Sequence, residues 1–337
     1  MTEKKTTLAI CDLSVSVTTA AGIGALLDKV SLEVGAGEIV GLVGESGCGK
    51  STLIKAILGV LPGNASVTGG EIFLGNENLL KFSEKELSRR IRGSRIGFIP
   101  QDPYLSLNPL FRIETQLLEI MRWHAPDARP WRRAEHRRRL LDVLRSLQIP
   151  DPEAALRRFP HEFSGGQRQR LMIAGALVCH PQIIVADEPT SALDVTTQRQ
   201  ILALLKERAR ELQTSVLFVT HDFGIVAELC ESVAVMYAGQ LVEAGATREV
   251  LNHPMHPYTE KLIACHPDRG GALTGIPGLV PPVAKMPSGC RFHPRCAYQR
   301  PACREQRPGA TIDPINDHRV HCILYGPPTR ERMSLAG

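Results

Sequence analysis

Residues 44–51 read Gly44-Glu45-Ser46-Gly47-Cys48-Gly49-Lys50-Ser51. This run fits the pattern G-x-x-x-x-G-K-[ST], and it follows an apolar segment that reads as a buried strand, Glu38 to Val43. Glycines allow the backbone to wrap around a phosphate with its N–H groups pointing inward, and the helix predicted from Lys50 adds a positive dipole. The pattern predicts a loop that binds nucleotide phosphates, and we assign all residues from Gly44 through Thr52 to it.

A second motif supplies the acids that such a loop needs. The run Ile183-Ile184-Val185-Ala186 reads as a buried strand and ends at Asp187 and Glu188. Asp187 can hold Mg²⁺ through water, and Glu188 is placed to polarise an attacking water. In the loop, Lys50 is expected to bridge the β- and γ-phosphates while the Ser51 hydroxyl binds Mg²⁺. Together the two motifs predict hydrolysis of a nucleoside triphosphate.

The composition of the 337 residues excludes several classes of protein. With 43% hydrophobic and 22% charged residues, the chain is neither disordered nor collagen-like. Leu171 to Ala186 is the longest stretch without charge and is a poor membrane span, since it is 16 residues long and includes polar residues. Met1 to Thr7 leads into no sustained apolar stretch, so we expect no secretory signal and a cytosolic protein. The net charge of +5 neither demands nor excludes nucleic acid or an anionic lipid surface.

The chain predicts an α/β fold with an inserted helical part and a C-terminal extension. Residues 1–250 alternate apolar strand-like runs, such as Ser215 to Val219, with helical patterns, which favours a largely parallel sheet covered by helices. Residues of about 102–180 are Arg-rich and helical in pattern, so we predict a helical subdomain there. Its segment 129–139 holds six arginines and one acid; it is interpreted as a solvated helix face or as a contact with lipid headgroups or an acidic partner. Residues 251–337 are rich in proline and read as a separate extension.

Four of the nine cysteines fall close together in this extension. Cys290, Cys296, Cys303 and Cys322 have the spacing C-x5-C-x6-C-x18-C. Structural zinc sites usually contain C-x2–4-C pairs, whereas longer and uneven spacings suit a [4Fe–4S] cluster in which each thiolate binds one iron. We predict a structural [4Fe–4S] cluster; zinc, with help from His293, His318 or His321, and unligated thiols stay open as alternatives.

Further motifs give the chain a family resemblance. It resembles an ATP-binding-cassette (ABC) ATPase over about residues 8–250, with a P-loop core. Beyond the two motifs above, the matching segments are the signature Ser164-Gly165-Gly166-Gln167, the glutamine loop at Gln101, the loop Ser191-Ala192-Leu193-Asp194, and the switch histidine His221.

The resemblance implies that two cassettes pack head to tail, with each ATP held between the phosphate loop of one and the signature of the other. Ser164 and Gly166 should then donate to the γ-phosphate of the neighbour's nucleotide, with Gly165, Gln167 and Asp194 beside it. Gln101 should join Ser51 at Mg²⁺, and His221 should hold the γ-phosphate and the attacking water. The family usually stacks adenine on an aromatic residue near the first strand. Residues 13–19 contain none, so we expect an aliphatic contact through Val17.

Within this family the chain is most similar to the ATPase subunits of dipeptide, oligopeptide and nickel importers. The likeness lies in Gln101-Asp102-Pro103 with Ser106-Leu107-Asn108-Pro109, in Met236-Tyr237-Ala238-Gly239-Gln240, and in His256-Pro257-Tyr258-Thr259. It implies a second homologous ATPase subunit, two transmembrane permease subunits and an extracytoplasmic substrate-binding protein as partners, and no nucleic acid. It also implies a peripheral location on the cytoplasmic face of the inner membrane, and similar tails carry a [4Fe–4S] cluster.

Two other readings are weaker. Soluble ABC ATPases of DNA repair or translation usually carry two cassettes or an inserted coiled coil, and the chain has one cassette and no heptad run. An ABC exporter is disfavoured by the extension at His256. Finally, because Cys48 lies inside the phosphate loop, we expect a thiol alkylator to block ATPase activity and ATP to protect, unless Cys48 is an inert small residue.

Overall fold

The structure is a computed structural model that describes residues 5–20, 22–127, 130–191, 193–265, 275–313 and 315–326. The strands are β1 (Thr6–Thr19), β2 (Gly22–Gly35), β3 (Ile39–Val43), β4 (Ala65–Leu74), β5 (Glu77–Asn78), β6 (Ile96–Ile99), β7 (Ile183–Asp187), β8 (Ser215–Thr220), β9 (Ser232–Tyr237), β10 (Gln240–Ala246), β11 (Thr311–Asp313) and β12 (His318–Val320). The helices are α1 (Lys50–Leu58), α2 (Glu84–Glu86), α3 (Pro103–Ser106), α4 (Ile113–His124), α5 (Arg133–Ser146), α6 (Pro152–Arg157), α7 (Gly165–Leu177), α8 (Val195–Glu211), α9 (Phe223–Leu229), α10 (Thr247–Asn252), α11 (Pro257–Ala264) and α12 (Ala302–Glu305).

The main sheet has the order β11-β12-β10-β9-β3-β8-β7-β6. Its five strands from β9 to β6 run parallel, and β3 lies between β8 and β9 with all five of its residues buried. Strands covered on both faces read as continuous apolar runs, which is why the sequence predicts β3, β7 and β8. The predicted parallel sheet is confirmed, and the carboxyl end of β3 leads directly into the phosphate loop.

A second sheet, with the order β2-β1-β4-β5, is antiparallel and was not predicted from the sequence. In β1 the buried residues Leu8 and Ile10 are followed by Leu13 and Val15, so the alternation breaks between Ile10 and Leu13. Asp12 lies there with φ 47°, and the pairing register with β2 and β4 shifts at this bulge. A bulge hides the period of two from a sequence pattern. The buried face of this sheet packs with apolar residues of α1 and of β3 in one core.

Helices α3 to α7 lie between β6 and β7, in the stretch predicted to be helical. Helix α5 buries Leu140, Leu141 and Leu144 on one face. Its other face is held by ion pairs, since Arg137 contacts both Glu114 and Glu153 and Arg139 contacts Asp127. Arg129 lies outside the described residues. These intramolecular pairs favour a structural role over a lipid contact for Arg137 and Arg139.

The C-terminal segment packs onto the cassette. Strand β12 pairs with β10 and carries β11, so the main sheet continues into this segment. Phe292 is buried, and its ring lies 5.1 Å from Tyr237 and 5.3 Å from Tyr258 between centroids. The buried Glu243 of β10 accepts a hydrogen bond from His318 Nε2 at 2.7 Å. Within the residues that the structure describes, no helix is long and apolar enough to cross a membrane.

His256 makes this packing sensitive to acid. Burial lowers the pKa of His256 to about 4, although the Glu243 carboxylate acts in the opposite direction. In the unfolded chain the imidazole of a histidine titrates near pH 6.5. Below that pH the unfolded state therefore binds a proton that the folded state does not bind. We expect the free energy of unfolding to fall as the pH drops from about 6.5 to about 4, by up to about 3 kcal/mol. Urea unfolding across this range measures the loss.

The matched variant is His256→Asn. The Nδ1 atom of His256 accepts a hydrogen bond from the backbone N–H of Tyr258 at 3.0 Å, and an asparagine oxygen can cap the helix in the same way without titrating. The variant should show a flatter dependence of unfolding free energy on pH. An unchanged slope would show that another group is responsible.

Candidate nucleotide-binding site

The phosphate loop connects β3 to α1, and it needs glycines because of a close backbone approach and of left-handed φ angles. A Cβ atom on Gly44 would lie 2.2 Å from the carbonyl oxygen of Met236. Gly47 and Gly49 have φ angles of 78° and 114°, in the left-handed region that side chains disfavour. The loop therefore wraps tightly and ends at the N-terminus of α1, which is the geometry that the sequence predicts.

Lys50 lies over this loop. Its side chain is 6% exposed, and its Nζ atom donates to the carbonyl oxygens of Gly44 at 2.6 Å and Glu45 at 3.1 Å. The ammonium group is thus held at the loop by these two carbonyl oxygens. A concentrated positive charge of this kind suits the β- and γ-phosphates of a nucleotide.

Ser51 and Asp187 form the pair that fits Mg²⁺. Burial raises the pKa of Asp187, and so does the nearby Glu188 charge, while Lys50 and a hydrogen bond with Ser51 act in the opposite direction. A half-buried carboxylate beside a hydroxyl is an all-oxygen donor set of the type that Mg²⁺ prefers. These two residues would hold the ion, whose chemistry would be to neutralise charge on the phosphates.

Three predicted catalytic residues meet at one carboxylate oxygen. Glu188 Oε2 accepts a hydrogen bond from Gln101 Nε2 at 3.4 Å and lies 3.2 Å from His221 Nδ1. Glu188 has a φ of 42°, and its backbone N–H donates to the carbonyl oxygen of Val219 at 2.9 Å, which ties it to β8. The structure therefore brings these residues together; their catalytic roles stay predictions.

All of these groups line one cavity of about 740 Å³, a volume that accommodates a nucleotide. The lining contains the loop residues other than Cys48, together with Gln101, Asp187, Glu188 and His221. The remaining lining residues are Leu26, Ala238, Gly239, Leu262, Val283 and Met286. None of these is aromatic, and the predicted adenine contact, Val17, is not among the lining residues.

The signature lies apart from this cavity. Ser164 caps α7 in a reciprocal arrangement with Gln167, and Gly166 approaches Thr197 so closely that a Cβ atom would lie 2.6 Å from its methyl group. Asp194 caps α8 by accepting a hydrogen bond from the Thr197 N–H at 3.0 Å. Neither these residues nor Gly165 line the cavity of their own chain, and Ala192 of the same loop lies outside the described residues. The separation is what a signature acting on a neighbouring chain requires.

The side chain of Cys48 is not a nucleotide contact. It is 1% exposed, and burial raises the pKa of its thiol despite the opposing charge of Lys50. Because the thiolate is the reactive form, the structure favours the alternative of an inert small residue over the expected block by a thiol alkylator.

Arg295 of the C-terminal segment contacts the phosphate loop, which sequence reasoning missed. Its guanidinium donates two hydrogen bonds to the Glu45 carboxylate, at 2.8 and 3.0 Å, and its side chain is 6% exposed. Burial opposes the charge, but hydrogen bonds to Glu45 and Tyr237 raise the pKa of Arg295 overall. The Tyr258 hydroxyl accepts a hydrogen bond from the Glu45 N–H at 2.9 Å. No local pattern signals contacts between residues 250 positions apart.

The four clustered cysteines line one small cavity beside Phe292 and His256. The Cys290 N–H donates to the Cys303 carbonyl at 2.8 Å, and burial raises the pKa of the Cys290 thiol to about 11. Among the described residues, no group of three or more His, Cys, Asp or Glu side chains is arranged to hold a single metal ion. His318 does not line this cavity, and its Nε2 atom is hydrogen-bonded to Glu243.

Comparison with known proteins decides the family. The model of the ABC transporter family matches residues 27–191. The chain is 47% identical over 300 residues to the probable D,D-dipeptide transport ATP-binding protein DdpD of Escherichia coli (strain K12), covering 88% of this chain and 90% of that protein. The chain belongs to the ABC transporter family of ATP-binding proteins. A second model, the C-terminal region of oligopeptide and dipeptide transporters, matches residues 242–303 of this ABC ATPase.

Other relatives agree with this assignment. The ABC ATPase is 44% identical to the dipeptide transport ATP-binding protein DppD of Bacillus subtilis (strain 168), over 94% of each chain. A dimeric structure of a post-hydrolysis state of the ATP-binding cassette MJ0796, bound to ADP and Pi, superposes with a TM-score of 0.63. It is 30% identical and covers 72% of this chain and 99% of that one. The predicted P-loop ABC fold and ATPase activity are confirmed at this level.

The Arg295–Glu45 pair gives a prediction. Arg295→Met leaves the Glu45 carboxylate without its partner and loosens the loop, so we expect the Kd for ATP to rise about tenfold, as for the loss of one charged hydrogen-bonded pair. Equilibrium titration with a fluorescent ATP analogue measures it.

The matched control is Arg307→Met. Arg307 also joins the C-terminal segment to the cassette, through Asp28 at 3.0 Å, but does not contact the loop. It should leave the Kd for ATP nearly unchanged. Equal weakening in both variants would mean that the segment acts through general stability and not through Glu45.

Proposed function

We propose that this ABC ATPase energises the import of peptides or related small solutes. One observation carries the proposal: the residues predicted to bind ATP within one chain share a cavity with residues of the C-terminal segment. That segment matches the C-terminal region of oligopeptide and dipeptide transporters. Relatives named for D,D-dipeptide, dipeptide and oligopeptide transport support the solute class.

In this proposal, the residues that line the cavity carry out ATP hydrolysis. Lys50 and the loop N–H groups bind the β- and γ-phosphates, and Ser51, Asp187 and Gln101 would hold a Mg²⁺ ion that would neutralise charge on these phosphates. Glu188 accepts a proton from the attacking water. His221 lies 3.2 Å from the Glu188 Oε2 atom through its Nδ1 atom, and it positions that water and the γ-phosphate.

The signature serves a second nucleotide. Ser164 and Gly166 at the start of α7 stand apart from the cavity of their own chain and are proposed to donate to the γ-phosphate held by a neighbouring cassette. The dimeric state of the related MJ0796 cassette, bound to ADP and Pi, supports this arrangement. Closure on ATP and opening after hydrolysis then form a two-state element that does work on a partner.

The proposed partners are a second homologous ATPase subunit, two transmembrane permease subunits and an extracytoplasmic substrate-binding protein. The chain would then sit at the cytoplasmic face of the inner membrane. Large apolar side chains follow Gln101 and are exposed: Tyr104 at 55%, Leu105 at 86% and Leu110 at 80%. An exposed apolar surface next to the catalytic glutamine supports a permease contact there, since such patches mark interaction sites.

We also propose a [4Fe–4S] cluster at Cys290, Cys296, Cys303 and Cys322. The four thiols face one cavity, yet they are not arranged around a single ion, as four zinc thiolates at about 2.3 Å would be. In a [4Fe–4S] cluster each thiolate binds a different iron, so the sulfurs stand farther apart. When bound, the cluster would cross-link this segment.

Anaerobic purification tests the cluster. We expect a brown protein with an absorbance band near about 400 nm and about four irons per chain. Cys303→Ser should lose the band, whereas Cys11→Ser, at an exposed position on β1, should keep it. Stoichiometric zinc without iron would contradict the cluster.

Glu188→Gln tests the catalytic proposal. The amide keeps the shape of the side chain but cannot take a proton, so turnover should fall by at least about a hundredfold while ATP still binds. ATP should then trap a dimer, which light scattering detects. Unchanged turnover would overturn the assignment of Glu188 as the base.

A further inference from the structure

The wall of the nucleotide cavity away from the phosphate groups is aliphatic and comes in part from the C-terminal segment. Val283 and Met286 line the cavity together with Leu26 of β2 and Leu262 of α11. Both are half-buried, and Met286 also packs on the main core. The polar lining groups all belong to the phosphate and catalytic parts described above, so this wall has no other assigned role.

Tight packing fixes this wall. Gly24 of β2 approaches Val283 so closely that a Cβ atom there would lie 2.5 Å from Val283 Cγ1 and 2.9 Å from its carbonyl oxygen. Gly24 is buried, and no left-handed φ explains the glycine. The absent side chain makes room for the C-terminal segment. Gly24 also pairs with Val17, so Val283 lies beside the strand position where an aromatic would be expected.

We infer that Val283 and Met286 form the surface that contacts the nucleotide base. The inference rests on the proposed ATP site. A base needs an apolar surface next to the phosphate groups, and among the described residues the cavity lining contains no Phe, Tyr or Trp. A valine and a thioether supply dispersion contacts without hydrogen bonds that discriminate between bases. The base-binding wall is therefore built by the C-terminal segment of the same chain.

A second contact holds the same segment in place. The Arg291 guanidinium donates a hydrogen bond to the carbonyl oxygen of Ala238, which itself lines the cavity, and it is paired with Asp28 at 3.3 Å. With Arg295 on Glu45, the C-terminal segment thus contacts the cavity at both the base side and the loop side. Displacement of this segment should weaken base binding specifically.

Photolabelling with 8-azido-ATP identifies the base contact directly. After irradiation and digestion, mass spectrometry should find the label on the peptide that contains Val283 and Met286. Label confined to the peptide around Val17 would overturn the inference.

Affinity measurements separate the base from the phosphates. Val283→Ser and Gly24→Ala should each raise the Kd for ATP about tenfold, as expected for losing one well-packed apolar contact, and leave the Kd for inorganic tripolyphosphate unchanged. Gly69→Ala is the matched control, since a Cβ atom there meets nothing within 4 Å. Equal weakening of both ligands, or of neither, would contradict the inference.

Lys50→Ala distinguishes this inference from the proposed function. It should weaken both ATP and tripolyphosphate if the phosphate loop binds as proposed. If Lys50→Ala has no effect on either ligand, the proposed ATP site fails; if it weakens both while Val283→Ser changes neither, only the base wall fails.

Discussion

The parallel pairing of β3, β8, β7 and β6 is the constraint on which the site depends. Parallel strands point their carboxyl ends to one edge of the sheet, where ligands of such folds bind. The phosphate loop follows β3, Gln101 follows β6, Glu188 follows β7 and His221 follows β8. Gln101 and His221, which are far from Glu188 in the chain, therefore both approach the Oε2 atom of its carboxylate. A change that unpairs one of these strands would therefore displace the site residues that follow it, even if their side chains were unaltered.

Sequence reasoning succeeds where a feature is local. The phosphate loop is predictable because the left-handed φ angles of Gly47 and Gly49 impose a local pattern of glycines, although the close approach of Gly44 to Met236 is long-range. The strands β3, β7 and β8 are predictable because burial on both faces leaves uninterrupted apolar runs. The four-stranded sheet is not, because the bulge at Asp12 breaks the alternation on which a strand assignment rests.

Sequence reasoning fails where the decisive contact joins residues that are far apart in the chain. Nothing in the residues around Arg295 indicates that it pairs with Glu45. The proline-rich composition of the C-terminal segment suggests a separate tail. In the structure that tail adds strands to the main sheet and packs Phe292 against Tyr237 of the cassette and Tyr258. Val17, the expected adenine contact, does not line the cavity, whereas Val283 and Met286 do, and the sequence gives no reason to connect these two residues with the nucleotide. The C-terminal segment is thus part of the ATP site as well as the region that marks the importer group.

Hydrogen–deuterium exchange of the Glu188→Gln variant, with and without Mg·ATP, tests this account most directly. At protein concentrations where the chain is monomeric, ATP should protect residues 44–52 and 275–290 together and leave residues 164–167 unchanged. Protection of residues 164–167 should appear only as dimers form. If ATP protects the phosphate loop and the signature together in the monomer, or leaves residues 275–290 unprotected, the arrangement described for this ATPase is wrong.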